Sequence, residues 1–300
     1  MIVYNNIESG LTEVYLGDVS ISEVYIGNER VFPEETPPTP PTPSIDGRFK
    51  LTYKNGSVYS ATCNSTSAIT SGDIQGGSSH YSAITSAEIG SCVTSIDNGA
   101  FAYCSGITSF DIFDNVTNIG KFAFRNCANL SSVYISRGIT ALPQGCFASC
   151  INLPTVKIPS NVSSIGPSAF NDCSGLTSVN IPTSVTSIQN YTFNNCKSLS
   201  SITIPSLVTN IGGQAFYNCT SLTSIIIPPN VNNIDTSAFK NCTNLTSITI
   251  KAIVPPTLNY ISAFNNTNNC PIYVPSESLE AYKTATNWST FASRIYPIQT

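Results

Sequence analysis

Apolar residues fall on a fixed grid along most of the chain. The pattern Ala-Phe-x-Asn-Cys-x-x-Leu-x-Ser-Ile-x-Ile-Pro-x-x-Val-x-x-Ile, complete from Ala215 to Ile234, returns every 23 residues. Phe101, Phe124, Phe147, Phe170, Phe193, Phe216 and Phe239 keep the register, and three residues after each stands Cys104, Cys127, Cys150, Cys173, Cys196, Cys219 or Cys242. An uninterrupted period of this length predicts a solenoid, because an insertion would throw the buried residues of neighbouring coils out of line. Leu222, Ile225 and Ile227 end in an apolar, polar, apolar step that suits a short strand with one buried face. Stacked coils then build a parallel sheet with strands about 4.8 Å apart.

Pro159, Pro182, Pro205 and Pro228 follow the strand. Proline has no N–H for a ladder, so the pairing ends there at a corner. Val185 and Ile188 point inward after it, and the Ala-Phe-x-x-Cys segment closes the coil with Phe and Cys on one face of a predicted helical turn. The architecture expected is β-rich: a parallel sheet on one face and short helical turns on the other.

Both ends of the array depart from the grid. Ile84, Ala87, Ile89, Val93 and Ile96 form a degenerate first coil, with Ser78 and Tyr81 in the Phe and Cys positions. Phe49, Leu51 and Tyr53 alternate ahead of the turn pair Asn55-Gly56, which signals a hairpin cap over the N-terminal edge within residues 47–77. The repeats occupy 78–251. Val254-Pro255-Pro256 then moves the next Phe to Phe264, a strand is predicted at Ile272 to Val274, and Ser276 is expected to N-cap a helix with Glu277 and Glu280 in its first turn. Residues 252–300 make a C-terminal cap that keeps the solenoid edge from pairing with another chain.

The front of the chain differs. Glu13-Val14-Tyr15-Leu16-Gly17 and Glu23-Val24-Tyr25-Ile26-Gly27 are near-copies, each a short strand before a turn, so residues 1–32 read as a small β-module that needs a partner surface or copies of itself. Residues 33–46 are a Pro/Thr-rich linker of polyproline character.

Composition narrows the function. Only 10% of residues are charged and the formal net charge is -4, with no basic stripe, which excludes a nucleic-acid partner. No apolar run is long enough to span a membrane. Met1 to Asn6 carries neither a basic nor an apolar leader region, so Sec export is not expected. The cysteines form no CxxC and pair with no histidine cluster; a buried ladder of reduced thiols is the reading, with no metal site and no cofactor. Cys63, Cys92, Cys146 and Cys270 lie off the ladder, and their spacing makes no pair compelling. His80 is the sole histidine and no catalytic motif accompanies it; Asp111 with Asp114 or Glu88 are the nearest acid pairs, and they read as scattered surface charge.

The repeat from Ile84 to Ile250, with Ala-Phe-x-x-Cys-x-x-Leu-x-Ser-Ile-x-Ile-Pro as its signature, resembles the BspA-like leucine-rich repeats, and Pro271 to Ile295 is similar to the strand and helix that close such arrays. The resemblance implies a leucine-rich-repeat solenoid in a non-enzymatic cell-surface or adhesion protein. Paired Val-Tyr-Leu-Gly and Val-Tyr-Ile-Gly before a Pro-Thr tether also resemble N-terminal modules of structural proteins in phages of gut Bacteroidetes. That second resemblance implies a virion fibre or decoration protein, fastened to other virion proteins through residues 1–32, possible as a homo-oligomer, and holding a bacterial surface glycan or protein through the solenoid. A bacterial adhesin is the alternative.

A binding face is expected where coils differ. The residue between the two inward aliphatics of each strand gives one outward column, Glu88, Asp111, Tyr134, Lys157, Asn180 and Thr203, continued by Ile226 and Thr249, beside a uniform column of Ser and Thr. Drift on an exposed strand would produce the same variety. Asp111, Tyr134 and Lys157 are the expected contact centre, and aromatics at Phe122, Tyr191, Tyr103 and Tyr217 mark a second candidate patch on the bends and turns.

Overall fold

The computed structural model describes residues 15–16, 19–20, 24–26, 29–32, 48–62, 68–71, 73 and 81–299. The linker, Cys63, Ser78 and His80 lie outside them. The chain divides into two units, Met1–Pro41 and Thr42–Thr300. In the first, Tyr15–Leu16 pairs antiparallel with Val19–Ser20, and Val24–Ile26 with Glu29–Phe32.

The second unit is the solenoid. Its strands pair in parallel one coil apart, as in Ser109↔Ser132 and Ile227↔Ile250, and a second set of two-residue strands does the same at Ser95↔Asn118 and Asn210↔Asn233. Between these walls lies a continuous core in which every Phe of the grid is fully buried. The rings stack face to face, 5.1 to 5.8 Å between centroids, from Phe101 to Phe239. Phe264 continues the stack at 5.6 Å despite the displaced register, because the added residues loop outward with Ile253 and Val254 in solvent.

The third wall is not helical. In the Ala-Phe-x-x-Cys segment alternate N–H groups serve two directions: Ala102, Cys104 and their equivalents bond three residues back, while Gly99, Phe101 and Tyr103 donate to Lys121, Ala123 and Arg125 of the next coil. This alternation needs a left-handed residue twice per coil. The first slot is Gly99, Phe122, Gly145, Ser168, Tyr191, Gln214 and Ser237; the second is Tyr103, Asn126, Ser149, Asp172, Asn195, Asn218 and Asn241, all at positive φ. A helix would spend its amides within the turn; this tandem turn spends half of them on cohesion between coils. Gly145 meets a further demand, since a Cβ there would lie 2.4 Å from the Phe122 ring.

Cysteine fits that wall for a specific reason. The Sγ of Cys127, Cys150, Cys173, Cys196, Cys219 and Cys242 lies 3.1 to 3.2 Å from the carbonyl oxygen of the Phe one coil back, so each thiol donates between coils while filling apolar space. The ladder thiols are free and buried. Off the ladder, Cys92 is disulfide-bonded, which the spacing of the cysteines did not foretell.

The polar grid is equally tied. Hydroxyls of Ser131, Thr177 and Thr246 donate to carbonyls one coil back at 2.9 Å, and Asn218 Nδ2 donates to Asn195 Oδ1 at 2.7 Å. Where Ser136 replaces the corner proline, its hydroxyl donates to the Val116 carbonyl at 2.9 Å and accepts from Gly138 N–H at 2.8 Å. Pro143 interrupts a ladder: Gly120 and Gly166, at the same position in the neighbouring coils, donate to Ile96 and Leu142, but proline has no N–H to give.

The ends are closed. The hairpin of Arg48–Tyr53 and Val58–Thr62 turns through Gly56 at φ 80 and lays its first strand antiparallel on Ile84–Glu88. At the other end Ile272–Val274 and Ile295–Pro297 add two parallel strands. Trp288 Nε1 donates to the Pro256 carbonyl at 2.7 Å, and Tyr282 Oη to the Ala252 carbonyl at 2.8 Å. Ser276 does not cap the helix as expected. It begins a 3₁₀ turn, Ser276–Ser278, ahead of the helix Leu279–Thr284, and its hydroxyl reaches the Ile298 carbonyl at 3.4 Å instead.

Candidate binding face and family

Strand register, not sequence offset, decides which side chains share the outward column. Asp111 faces Tyr134 on the paired strand, and Ile226 faces Thr249. The same register carries the column beyond the repeats at both ends. Lys50 of the hairpin cap faces Glu88, with Nζ 3.5 Å from the carboxylate, and Thr249 leads to Tyr273 and then Tyr296, whose rings lie 6.4 Å apart. Sequence reasoning missed Lys50, Tyr273 and Tyr296 because they lie outside the 23-residue period. The inward-outward alternation of the cap strands was the signal that could have found them.

Members of the column are not equivalent. Asp111, Lys157, Asn180 and Thr203 are exposed, and Glu88 and Tyr134 half-exposed. Tyr134 Oη donates to Asp114 Oδ1 at 3.3 Å, and the Arg137 amide donates to the same oxygen at 3.1 Å. Partial burial first, then the Asp114 carboxylate, push the Tyr134 phenol up from its ordinary value. The phenol is thus held by a neighbouring corner, on the strand paired with that of Asp111. Asn180 serves the scaffold: its Oδ1 accepts from the Ile158 N–H and its Nδ2 donates to the Ile158 carbonyl, both at 3.0 Å, replacing ladder bonds where the strand is only two residues long. Its amide is committed before any ligand arrives.

The aromatics of the turn wall separate in the same way. Tyr217 is half-buried and accepts from Asn241 Nδ2 at 3.2 Å; Phe122 lies against Gly145 with the Arg125 guanidinium 5.7 Å from its ring centre. Tyr103 and Tyr191 project, 51% and 41% exposed. Among the described residues no three His, Cys, Asp or Glu side chains converge as a metal site would need.

A family model described as the BspA type leucine rich repeat region, in six copies, matches residues 73–197 and 163–289. Among solved structures the chain is similar to a leucine-rich repeat protein from Bacteroides ovatus, with 23% identity over 70% of this chain and 71% of that one and a TM-score of 0.35. It is also similar to a leucine rich cell surface protein from Faecalibacterium prausnitzii, with 23% identity over 70% of this chain and 78% of that one and a TM-score of 0.42. The pneumococcal vaccine antigen PcpA is a third, with 16% identity over 69% of this chain and 70% of that one and a TM-score of 0.35. No curated protein matches. The phage resemblance of residues 1–32 gains no support: the family match begins at residue 73. Grid, stacked Phe and Cys ladders and model match agree over most of the chain, and the chain belongs to the BspA-type leucine-rich-repeat family.

Proposed function

We propose that the chain is a non-enzymatic recognition protein displayed at a bacterial surface, and that its outward strand column holds an extracellular glycan or protein. One observation carries the reading. Asp111, Tyr134 and Lys157 present an acid, an aromatic and a base in succession on a face whose neighbouring positions repeat Ser and Thr from coil to coil. The scaffold asks for sameness there, and difference is what a ligand requires. The disulfide at Cys92 supports an address outside the reducing cytoplasm, where such bonds persist. The family is associated with surface proteins and adhesins, and the adhesin reading replaces the virion one as the better supported.

Immobilised protein offered to glycans and extracellular-matrix proteins should capture a ligand that the combined Asp111→Ala, Tyr134→Ala and Lys157→Ala variant releases at least about tenfold more readily. The variant's Tm should stay within about 2 °C of the parent, since none of the three is in the core. Equal capture by parent and variant returns the column to drift. Protease shaving of intact cells should release solenoid peptides; recovery of the protein in purified phage particles alone would restore the virion reading.

A further inference from the structure

The second left-handed slot of the turn wall is filled by Asn, Ser or Asp in every coil except the first, where Tyr103 stands at φ 67. Asn and Asp accept this backbone at little cost, whereas a bulky side chain does so only under strain. Packing does not repay it here, because the ring is 51% exposed. Strain of this kind, held without a structural return, points to use.

Tyr103 also breaks a hydrogen-bond ladder. Asn195, Asn218 and Asn266 each donate from Nδ2 to an amide or carboxylate oxygen in the slot of the preceding coil, at 2.7, 2.7 and 2.8 Å. Asn126 has Tyr103 before it and finds no acceptor among the described residues. Its amide is left at the lip of a shallow groove of about 480 Å³ lined by Ser82, Tyr103, Ser105 and Asn126. None of these side chains has a hydrogen-bond partner among the described residues. The Tyr103 N–H donates to the Arg125 carbonyl at 2.7 Å, which brings the Arg125 backbone beside the groove; its guanidinium lies over the Phe122 ring, 5.7 Å from the ring centre, with no carboxylate partner among the described residues.

We propose that this groove is a second binding site, separate from the strand column, for a pyranose unit bearing a carboxylate, such as a uronic acid within a polysaccharide. Tyr103 offers its ring face to the sugar, Asn126, Ser82 and Ser105 exchange hydrogen bonds with ring hydroxyls, and Arg125 pairs with the carboxylate. Desolvating so open a groove gives weak binding per unit, and strength comes from repetition along a polymer. Tyr191, the other projecting aromatic at positive φ, is a useful contrast. Its hydroxyl is held by Gln214 Nε2 at 3.3 Å.

The test is titration of the intact protein with methyl β-D-glucuronide and methyl β-D-glucoside, followed by NMR or calorimetry. The glucuronide should bind with a Kd on the order of 1 mM and the glucoside about tenfold more weakly. Tyr103→Ala should weaken the glucuronide about tenfold, Tyr103→Phe should keep it, and Arg125→Gln should erase the preference over the glucoside. Tyr191→Ala and Tyr134→Ala should change nothing. Tyr103→Asn is the most discriminating variant: the introduced amide suits the left-handed backbone and gives Asn126 its ladder partner, so Tm should rise by about 2 °C while binding is lost. The proposal is overturned if the glucuronide fails to bind at about 20 mM, if Tyr103→Ala binds as the parent does, or if Tyr103→Asn lowers Tm with binding intact.

Discussion

Raising the pH should unfold this protein well before ordinary alkaline damage does, and the buried thiols, those of the ladder with Cys146 beside it, set the size of the effect. Burial pushes the thiols of Cys104 and Cys173 up to about 12, and burial, as the largest cause, raises those of Cys127, Cys146, Cys150, Cys196 and Cys219 as well. In the unfolded chain each returns to its ordinary value near 9. The folded state therefore binds more protons than the unfolded one between these limits. The stabilisation is complete below pH 9 and is lost as pH climbs toward 12. One unit above the ordinary value each thiol gives up on the order of 1 kcal/mol, so the seven together approach the whole stability of a typical domain. Fluorescence of the buried Trp288 and far-UV circular dichroism, followed from pH 7 to about 11, should show a steep cooperative loss near pH 10, with thiols reacting with a disulfide reagent only as it occurs. Replacing Cys150, Cys173 and Cys196 by Ala removes three titrating groups, so the variant should be weaker at neutral pH yet show a shallower alkaline slope. An unchanged slope, or thiols that react while the circular dichroism is native, refutes the reasoning.

The inter-coil role of the thiol has its own test. In Cys173→Ser the shorter C–O bond would place oxygen about 3.5 Å from the Phe147 carbonyl, outside the O–H···O range, so a half-satisfied buried hydroxyl should cost about 1 to 3 kcal/mol and make Ser no better than Ala; a serine variant as stable as the parent in urea unfolding counts against the donor role. Phe170→Ala removes a fully buried ring stacked at 5.8 Å on Phe147 and 5.7 Å on Phe193, and should cost about 4 kcal/mol. Because each coil touches only its neighbours, that variant should unfold in two steps with separate urea midpoints, and a single sharp transition argues against local coupling.

Much of the fold lay open in the sequence because a solenoid repeats its reasons. Phe124 and Phe147 each meet the same surroundings, so a period of 23 residues exposes the core, the corner proline and the strand step together. Ile272 to Val274 was legible by the same alternation and is the strand observed. The turn wall was not. Three-residue spacing of Phe and Cys satisfies a helical turn and a tandem turn alike, and only the direction of the amides, half of them toward the next coil, separates the two. The candidate column was half legible. Asp111 and Tyr134 stand side by side as expected, but Asn180 proves to be bound to its own scaffold.

What the sequence determined by itself was the coil: its length, its buried positions and the family it belongs to, since these depend on residue type at fixed spacing and short-range stereochemistry. What the tertiary structure decided was adjacency between coils. Cys173 became a donor to Phe147, Lys50 a neighbour of Glu88, and Asn126 an amide without its ladder partner only once the stacking register brought residues from different coils within hydrogen-bond reach. Spacing along one coil carries no information about which atoms of the next will lie a few ångströms away.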